Sequence, residues 1–367
     1  MRTVHRWIAF GARGVAAALL IGVGLASPAF AQTTISGVVY AQYSYNTSSD
    51  TLPADSTLGG HLNNFNVTRA YVNVNGKFDH GIVTRVTADI FNSGVSGGAY
   101  AFRLKYAYVN WTPQNSNLTY RLGLLHTPFI DWQEALWDYR MEGPTAVDRN
   151  KFMTSSDFGA AVEGAFNNQA VNFLAGIYDG EGYGGVPGDA HKDLMGRVTV
   201  RVMGTNDNSR VGGLRVTAYG QYGAPNSGGQ RERFLGELSY RSHALTLAAD
   251  YLMAKDSVHG GNTTVGGGNV TASAGKTASL ISVFGVLHLS NSPVSIVGRV
   301  DLVDPNTAST ATGDKTTTII AGVSYDVSHN FRIMADVDQT SFESGNAVSP
   351  STYANRGTVN LHAQFTY

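Results

Sequence analysis

Between His126 and Asp157 the chain reads HTPFIDWQEALWDYRMEGPTAVDRNKFMTSSD. Six carboxylates (Asp131, Glu134, Asp138, Glu142, Asp148 and Asp157) share this stretch with three cations, Arg140, Arg149 and Lys151, and with two tryptophans. Charges at this density can move protons, hold a metal, or sort ions that pass through water beside them. The ten histidines show no metal-ligand spacing, so neither a metal nor another cofactor is expected. Ser155, His126 and Asp157 could supply a nucleophile, a base and an acid, but no sequence signal aligns them. Gly180-x-Gly182-x-x-Gly185 formally fits a dinucleotide fingerprint. Pro187 and Gly188 stand where that fingerprint needs a helix to aim amides at a phosphate, so a glycine-rich loop is expected instead.

A second set of charges is spread along the chain. Arg69, Arg85, Arg121, Arg197, Arg201, Arg215, Arg299 and Arg332 fall on the polar face of alternating segments, with Asp89, Glu163, Glu237, Asp250, Asp301, Asp336 and Asp338 among them. Such a set either pairs internally and stiffens a wall, or forms a cationic track for anions; the residue pattern leaves both open. Arg103, Lys105, Arg231 and Arg233 fall nearer the segment ends, where headgroups or water would meet them.

The alternation places these arginines. Leu194, Gly196, Val198, Val200 and Val202 oppose Arg197, Thr199 and Arg201; Leu214, Val216 and Ala218 oppose Arg215, Thr217 and Tyr219. A period of two is the pattern of a strand with one wet and one apolar face. Long polar gaps near 47–62, 92–99, 126–157, 179–193, 223–230, 255–276, 304–315 and 340–354 alternate with short ones near 79–81, 112–117, 167–169, 204–210, 241–243, 290–293 and 327–329. Eight long and seven short connections imply about sixteen strands, with long loops at one end and short turns at the other. The last segment puts Val359, Leu361, Ala363, Phe365 and Tyr367 on one face and must close against the first, because an open sheet edge in lipid is very costly.

Composition and the chain start agree with export to a membrane. Arg2, Arg6 and Arg13 precede the apolar run Gly14 to Ala26, and Ala29-Phe30-Ala31 makes a small-x-small site before Gln32. The run is too short for a spanning helix, which needs about 20 apolar residues, so residues 1–31 are expected to be a cleaved signal peptide and 32–367 the barrel domain. Charged residues are only 14% while the mean hydropathy is −0.11, against about 25% charged in ordinary globular chains. The leader takes three of the 26 cations and none of the 27 acids, leaving a mildly acidic remainder with no reason to bind nucleic acid. Cysteine is absent, so no disulfide holds the fold. The expected fold class is all-β: a transmembrane antiparallel barrel of about sixteen strands in the outer membrane, too wide for side chains to fill. The long 126–157 connection is expected to fold inward, burying Phe129, Trp132 and Trp137 on the wall and turning its charges toward a narrowed passage.

The elements LKYAYVNW, LTYRLGLLHTPF and SSDFGAAVEGAF resemble the phosphate-selective porin O/P family. Arg69-Ala70 leading to Gly76-Lys77, Tyr178-Asp179-Gly180-Glu181-Gly182 and Lys192-Asp193 before Gly196-Arg197-Val198 are similar too, so the motifs span roughly Leu62 to Arg201. The resemblance implies a sixteen-stranded homotrimeric channel for small hydrophilic solutes and ions, with an inward third loop. One departure stands out. Anion-selective members carry cations at the constriction, whereas this stretch is net acidic. A barrel hydrolase and a non-conducting adhesin or structural barrel are the alternatives.

Overall fold

The computed structural model describes residues 32–47, 61, 63–92, 99–185, 190–225, 229–258, 263–265, 268–270, 275–343 and 356–367. The expected leader, 1–31, lies outside them. Sixteen strands form one closed antiparallel barrel. The first half comprises β1 (Gln32–Asn46), β2 (Asn63–Phe78), β3 (Ile82–Asn92), β4 (Tyr100–Trp111), β5 (Leu118–His126), β6 (Ser156–Phe166), β7 (Val171–Tyr178) and β8 (Asp193–Met203). The second half opens with β9 (Gly213–Gly223), β10 (Gly229–Arg241) and β11 (Leu245–Val258). A separate two-stranded hairpin, β12 (Thr263–Val265) and β13 (Gly268–Val270), sits in the next long loop. The wall resumes with β14 (Lys276–His288), β15 (Val294–Asp304), β16 (Thr316–Ser328), β17 (Phe331–Phe342) and β18 (Arg356–Thr366). Two helices, α1 (Pro128–Leu136) and α2 (Ala146–Arg149), lie in the connection between β5 and β6.

Closure is made by β1 and β18, in register from Val38↔Thr366 to Asn46↔Thr358. Every barrel strand thus has two neighbours, the arrangement hydrocarbon demands of backbone polar groups. Burial alternates as the sequence pattern requires, but inverted relative to a water-soluble sheet. On β9, Arg215, Thr217, Tyr219 and Gln221 are buried inside, while Val216, Ala218 and Tyr222 are exposed outside. On β10, Arg233, Glu237 and Ser239 face in; Phe234 and Leu238 face out. An exposed band of this kind, continued by Leu122, Val198, Val283, Val323 and Leu361, suits a bilayer and far exceeds the apolar patch a soluble monomer shows.

Among the described strands the register shifts at four places, two of them on the wall from β1 to β4. Between β3 and β4 the register passes from Thr87↔Tyr106 to Ala88↔Leu104, leaving Lys105 as the extra residue of a bulge. Lys105 and Tyr106 therefore both turn inward and are buried. Between β1 and β2 it passes from Tyr40↔Arg69 to Ala41↔Val67. The inner wall also differs from a uniformly polar lining. From β10 to β17 it carries Leu235, Leu252, Ala254, Leu280, Phe284, Val297 and Met334, all buried. They need a cover, and the connection between β5 and β6 provides it.

Candidate functional site: the constricted lumen

The connection leaves the wall because β5 stops pairing with β4 at Ala107↔Leu124 but continues along β6 to His126↔Ser156. Its two stems are bonded to each other: Thr127 N donates to Ser155 O at 3.2 Å, and the Thr127 hydroxyl donates to Thr154 O. Pro128 starts α1 at a position where a missing N–H costs nothing. Phe129, Ile130, Val147 and Phe152 then pack on Tyr219, Leu235, Leu252 and Leu280. Trp132, Leu136, Trp137 and Tyr139 pack on Ala248, Phe284, Val286 and Val297. Truncating one such large side chain costs about 3–5 kcal/mol in a packed core, so these anchors hold the loop inside the barrel.

Polar contacts fix its path strand by strand. Arg197 Nε on β8 donates to Pro128 O at 2.9 Å, and Arg241 on β10 donates to Ala135 O at 2.7 Å. Trp132 Nε1 reaches Glu237 on β10 at 3.1 Å, and Gln133 Nε2 reaches Asp250 on β11 at 3.0 Å. Further along, Arg299 on β15 donates to Pro144 O at 2.7 Å, the Tyr139 hydroxyl meets Ser324 on β16 at 2.7 Å, and Arg149 pairs with Asp338 on β17. The loop has crossed the lumen. Its return passes Arg233, which donates to Phe152 O at 2.9 Å.

The eight arginines singled out by parity occupy different environments. Arg121 pairs with Glu163, Arg332 with Asp326 at 2.6 Å and Asp138 at 3.8 Å, and Arg69 with Asp89 at 3.6 Å. Arg299 holds Asp301 at 2.6 Å and stands 3.9 Å from Glu142. Arg197 and Arg215 are buried on the ring of Trp132, at 4.5 and 5.6 Å from its centroid, and donate chiefly to backbone carbonyls and neutral side chains. Arg201 is half-buried at the end of β8, against Gly213. Arg85 bonds Thr87 and Asn73 and lies over Tyr106; among the described residues no carboxylate pairs with it.

The loop charges are mostly paired. Asp131 is held by Arg210 at 2.7 Å, Glu134 by Arg140, and Glu142 by Arg149 at 3.3 Å. Asp148 is half-buried on α2, and Lys151 is exposed at a left-handed φ of 60° beside a cavity of about 200 Å³ near the wide loops. Burial works against the Asp131 carboxylate, but the Arg210 guanidinium prevails and holds it well below the usual carboxylate range. For Glu142 burial prevails over Arg299 and Arg149, and its carboxyl is pushed up to about 7.

A further group of charges lines the wall from β1 to β4, where Tyr40 joins the loop tryptophans in one buried cluster. Arg140 on the loop stands within electrostatic reach of Tyr40, Tyr71 and Tyr106 there. The Tyr71 hydroxyl accepts from Arg69 at 2.7 Å and from Lys105 Nζ at 3.0 Å. Asp89 serves both Arg69 and Arg103. Arg69, Arg85, Arg103, Lys105 and Arg140 thus face Asp89 and Glu134, a cationic excess. Arg103, Lys105, Arg231 and Arg233, expected to meet headgroups or water, meet protein groups instead. Lys105 is 2% exposed in the bulge, Arg103 is bound to Asp89, Arg233 clamps Asp256 with two bonds at 2.6 and 2.8 Å, and Arg231 ties Asp193 to Gly180. Only the bulge, which period-two counting ignores, could have signalled Lys105.

Ser155, His126 and Asp157 form no hydrogen-bonded relay. Asp157 accepts the backbone N–H groups of Phe158 and Gly180, and the His126 ring stacks on Tyr106 at 3.9 Å with Asp131 as its acid at 3.8 Å.

No family model matches the chain, and no curated protein matches it in sequence. Solved structures do. An anion-selective porin from Comamonas acidovorans superposes with a TM-score of 0.66 at 12% identity, over 92% of this chain and 100% of that one. OmpT, an outer membrane protein of Vibrio cholerae, gives 0.61 at 13% identity, over 94% and 99%. An engineered mutant of Rh. blastica porin gives 0.51 at 12% identity, over 92% and 100%. At these identities the likeness is one of fold, and the fold is that of a sixteen-stranded outer-membrane porin barrel.

Proposed function

We propose that this chain is a passive diffusion porin of the bacterial outer membrane that passes small hydrophilic solutes and ions and favours anions. The observation that carries the reading is the inner wall from β2 to β4, where Arg85 and Lys105 stand with no carboxylate of their own among the described residues. Three of the loop acids, Asp131, Glu134 and Glu142, are paired with Arg210, Arg140 and Arg149. Such a field attracts anions into a passage whose width the loop limits. The narrower reading, phosphate selectivity, draws on the motif resemblance from Leu62 to Arg201 and on the donors converging at Tyr71. A cleaved leader over 1–31 and a homotrimeric assembly belong to the same proposal.

Planar-bilayer recording tests it. Open steps whose reversal potential in a chloride gradient has the sign of anion flow support the reading, and block of chloride current by inorganic phosphate supports the narrower one. Cation preference, or a barrel that never conducts, overturns it.

A further inference from the structure

Beneath α1 the barrel wall carries two acids that form no ion pair among the described residues. Glu237 and Asp250 are direct cross-strand partners on β10 and β11, which places their Cβ atoms about 5 Å apart on the lumen face. Each is 3% exposed. Consecutive loop residues reach down to them: Trp132 Nε1 donates to Glu237 Oε1, and Gln133 Nε2 donates to Asp250 Oδ1. Glu237 Oε2 and Asp250 Oδ2 are buried and receive nothing, and Gln133 Oε1 and Ser239 Oγ beside them are equally unpartnered.

The charges around the pair are committed elsewhere. On α1, Asp131 is held by Arg210 and Glu134 by Arg140. Arg197 of β8 and Arg215 of β9 lie against the Trp132 ring; Arg197 donates to Pro128 O, Thr199 and Asn172, and Arg215 donates to two backbone carbonyls through Nε and Nη1 while its Nη2 is buried without a partner among the described residues. On β14 the neighbour is Ser282, bonded to Asp301, and on β15 Asp301 is held by Arg299. Two ionised carboxylates at this spacing, shut away from water, cannot both persist.

We propose that Glu237 and Asp250 share one proton, taken up when α1 docks and released when it lifts, so that the proton latches the constriction loop. Placed between Glu237 Oε2 and Asp250 Oδ2, it turns one orphan acceptor into a donor and satisfies the other. A lifted loop exposes both carboxylates to water, where both ionise near neutrality. The docked state therefore holds one more proton than the lifted state, and docking is strongest in acid and weakens as pH rises. The latch deepens the channel reading only in its consequence, a passage whose loop loosens in alkali.

Infrared difference spectroscopy of the full chain in bilayers tests the proton directly. The carbonyl band of a protonated carboxylic acid is expected at neutral pH, with a component that Glu237→Gln removes and alkali titrates away. Wild-type protein without that component overturns the latch, and so does a pair that is released by a divalent-cation chelator rather than by alkali. Glu237→Gln keeps the shape and supplies a permanent donor, so its loop should stay docked and lose the part of its pH response that the pair carries, read as current flicker and as hydrogen exchange of the α1 amides. An unchanged pH response in that variant also overturns the proposal. The infrared and exchange measurements need no conduction, so a failed latch and a failed channel reading are told apart.

Discussion

The guanidinium of Arg85 lies 4.9 Å from the ring centroid of Tyr106 and pairs with no carboxylate among the described residues. One residue away, the β4 bulge turns Lys105 to the same wall, where its ammonium bonds Tyr71. Aromatic faces and neutral acceptors hold both cations in place without cancelling their charge.

Neutralising either cation should shift ion selectivity. A unit charge 4 Å from a passing ion is worth about 1 kcal/mol in a water-like dielectric. Arg85→Gln and Lys105→Gln should each lower the anion-to-cation permeability ratio by up to about five-fold at low salt, with the difference fading as salt rises. Arg121→Gln tests the pairing argument differently. It frees the Glu163 carboxylate that Arg121 now neutralises, so it should move the ratio the same way without touching an unpaired cation. Reversal potentials in a salt gradient measure all three.

Arg299 predicts a stability effect instead. It holds Asp301, donates to Pro144 O, and lies 5.3 Å from the centroid of Trp137. Arg299→Met leaves Asp301 buried with no cation, a loss of about 3–5 kcal/mol for a pair so enclosed. Arg299→Lys keeps the charge but loses the forked contact and should recover only part. Thermal unfolding followed by circular dichroism would show the order wild type, Lys, Met; equal midpoints would remove Arg299 from the list of loop anchors.

These two predictions divide along what was legible in the sequence. The strand count and the alternation of long and short connections follow from period-two patterning, because each barrel strand must separate lipid from water along its own length; the inward loop follows from its length and its aromatics. Arg215 and Arg299 could be placed inside by parity for the same reason. Their duties could not. Whether an inward arginine meets water or a loop carbonyl depends on where the loop from β5 to β6 runs, and that path is set by contacts over a hundred residues away, such as Trp132 with Glu237. Lys105 was read as lying near a segment end, whereas the one-residue bulge in β4 turns both it and Tyr106 to the inner wall. Nor could the partner of Asp131 be read from the loop itself, because Arg210 comes from a short turn far along the chain.

The loop should also carry a pH signature of its own through Glu142. Burial pushes this carboxyl up to about 7 from an ordinary value near 4.5. A raised carboxyl makes the docked loop most stable below the ordinary value, with that stability lost as pH climbs toward about 7. Asp131 has the opposite sign: held low by Arg210, its contribution is present at neutrality and disappears only in strong acid. In the Glu237→Gln background, which removes the shared proton, hydrogen exchange of the loop amides should still quicken between about pH 4.5 and about 7, and adding Glu142→Gln should flatten that limb while leaving the strong-acid limb intact. A limb that survives the substitution would assign it to another group.

The closing seam offers a prediction independent of the loop. Gly37 N donates to the Tyr367 carbonyl at 2.9 Å and Tyr367 N donates back at 3.1 Å, extending the β1–β18 ladder to the last residue. The Tyr367 ring lies across Gly37: a Cβ there would stand 2.4 Å from the ring and 2.3 Å from the Tyr71 carbonyl on β2. Gly37→Ala must therefore displace both a side chain and a backbone strand, an overpacking cost of about 1–3 kcal/mol. Tyr367→Ala in the same chain relieves the ring contact but not the carbonyl, so the double variant should regain only part of the lost stability. Heat-dependent gel mobility of the folded barrel reads both. Full recovery in the double variant would locate the whole constraint in the terminal ring, whereas no loss in Gly37→Ala would mean that the seam tolerates a side chain and that β1 can shift to admit it.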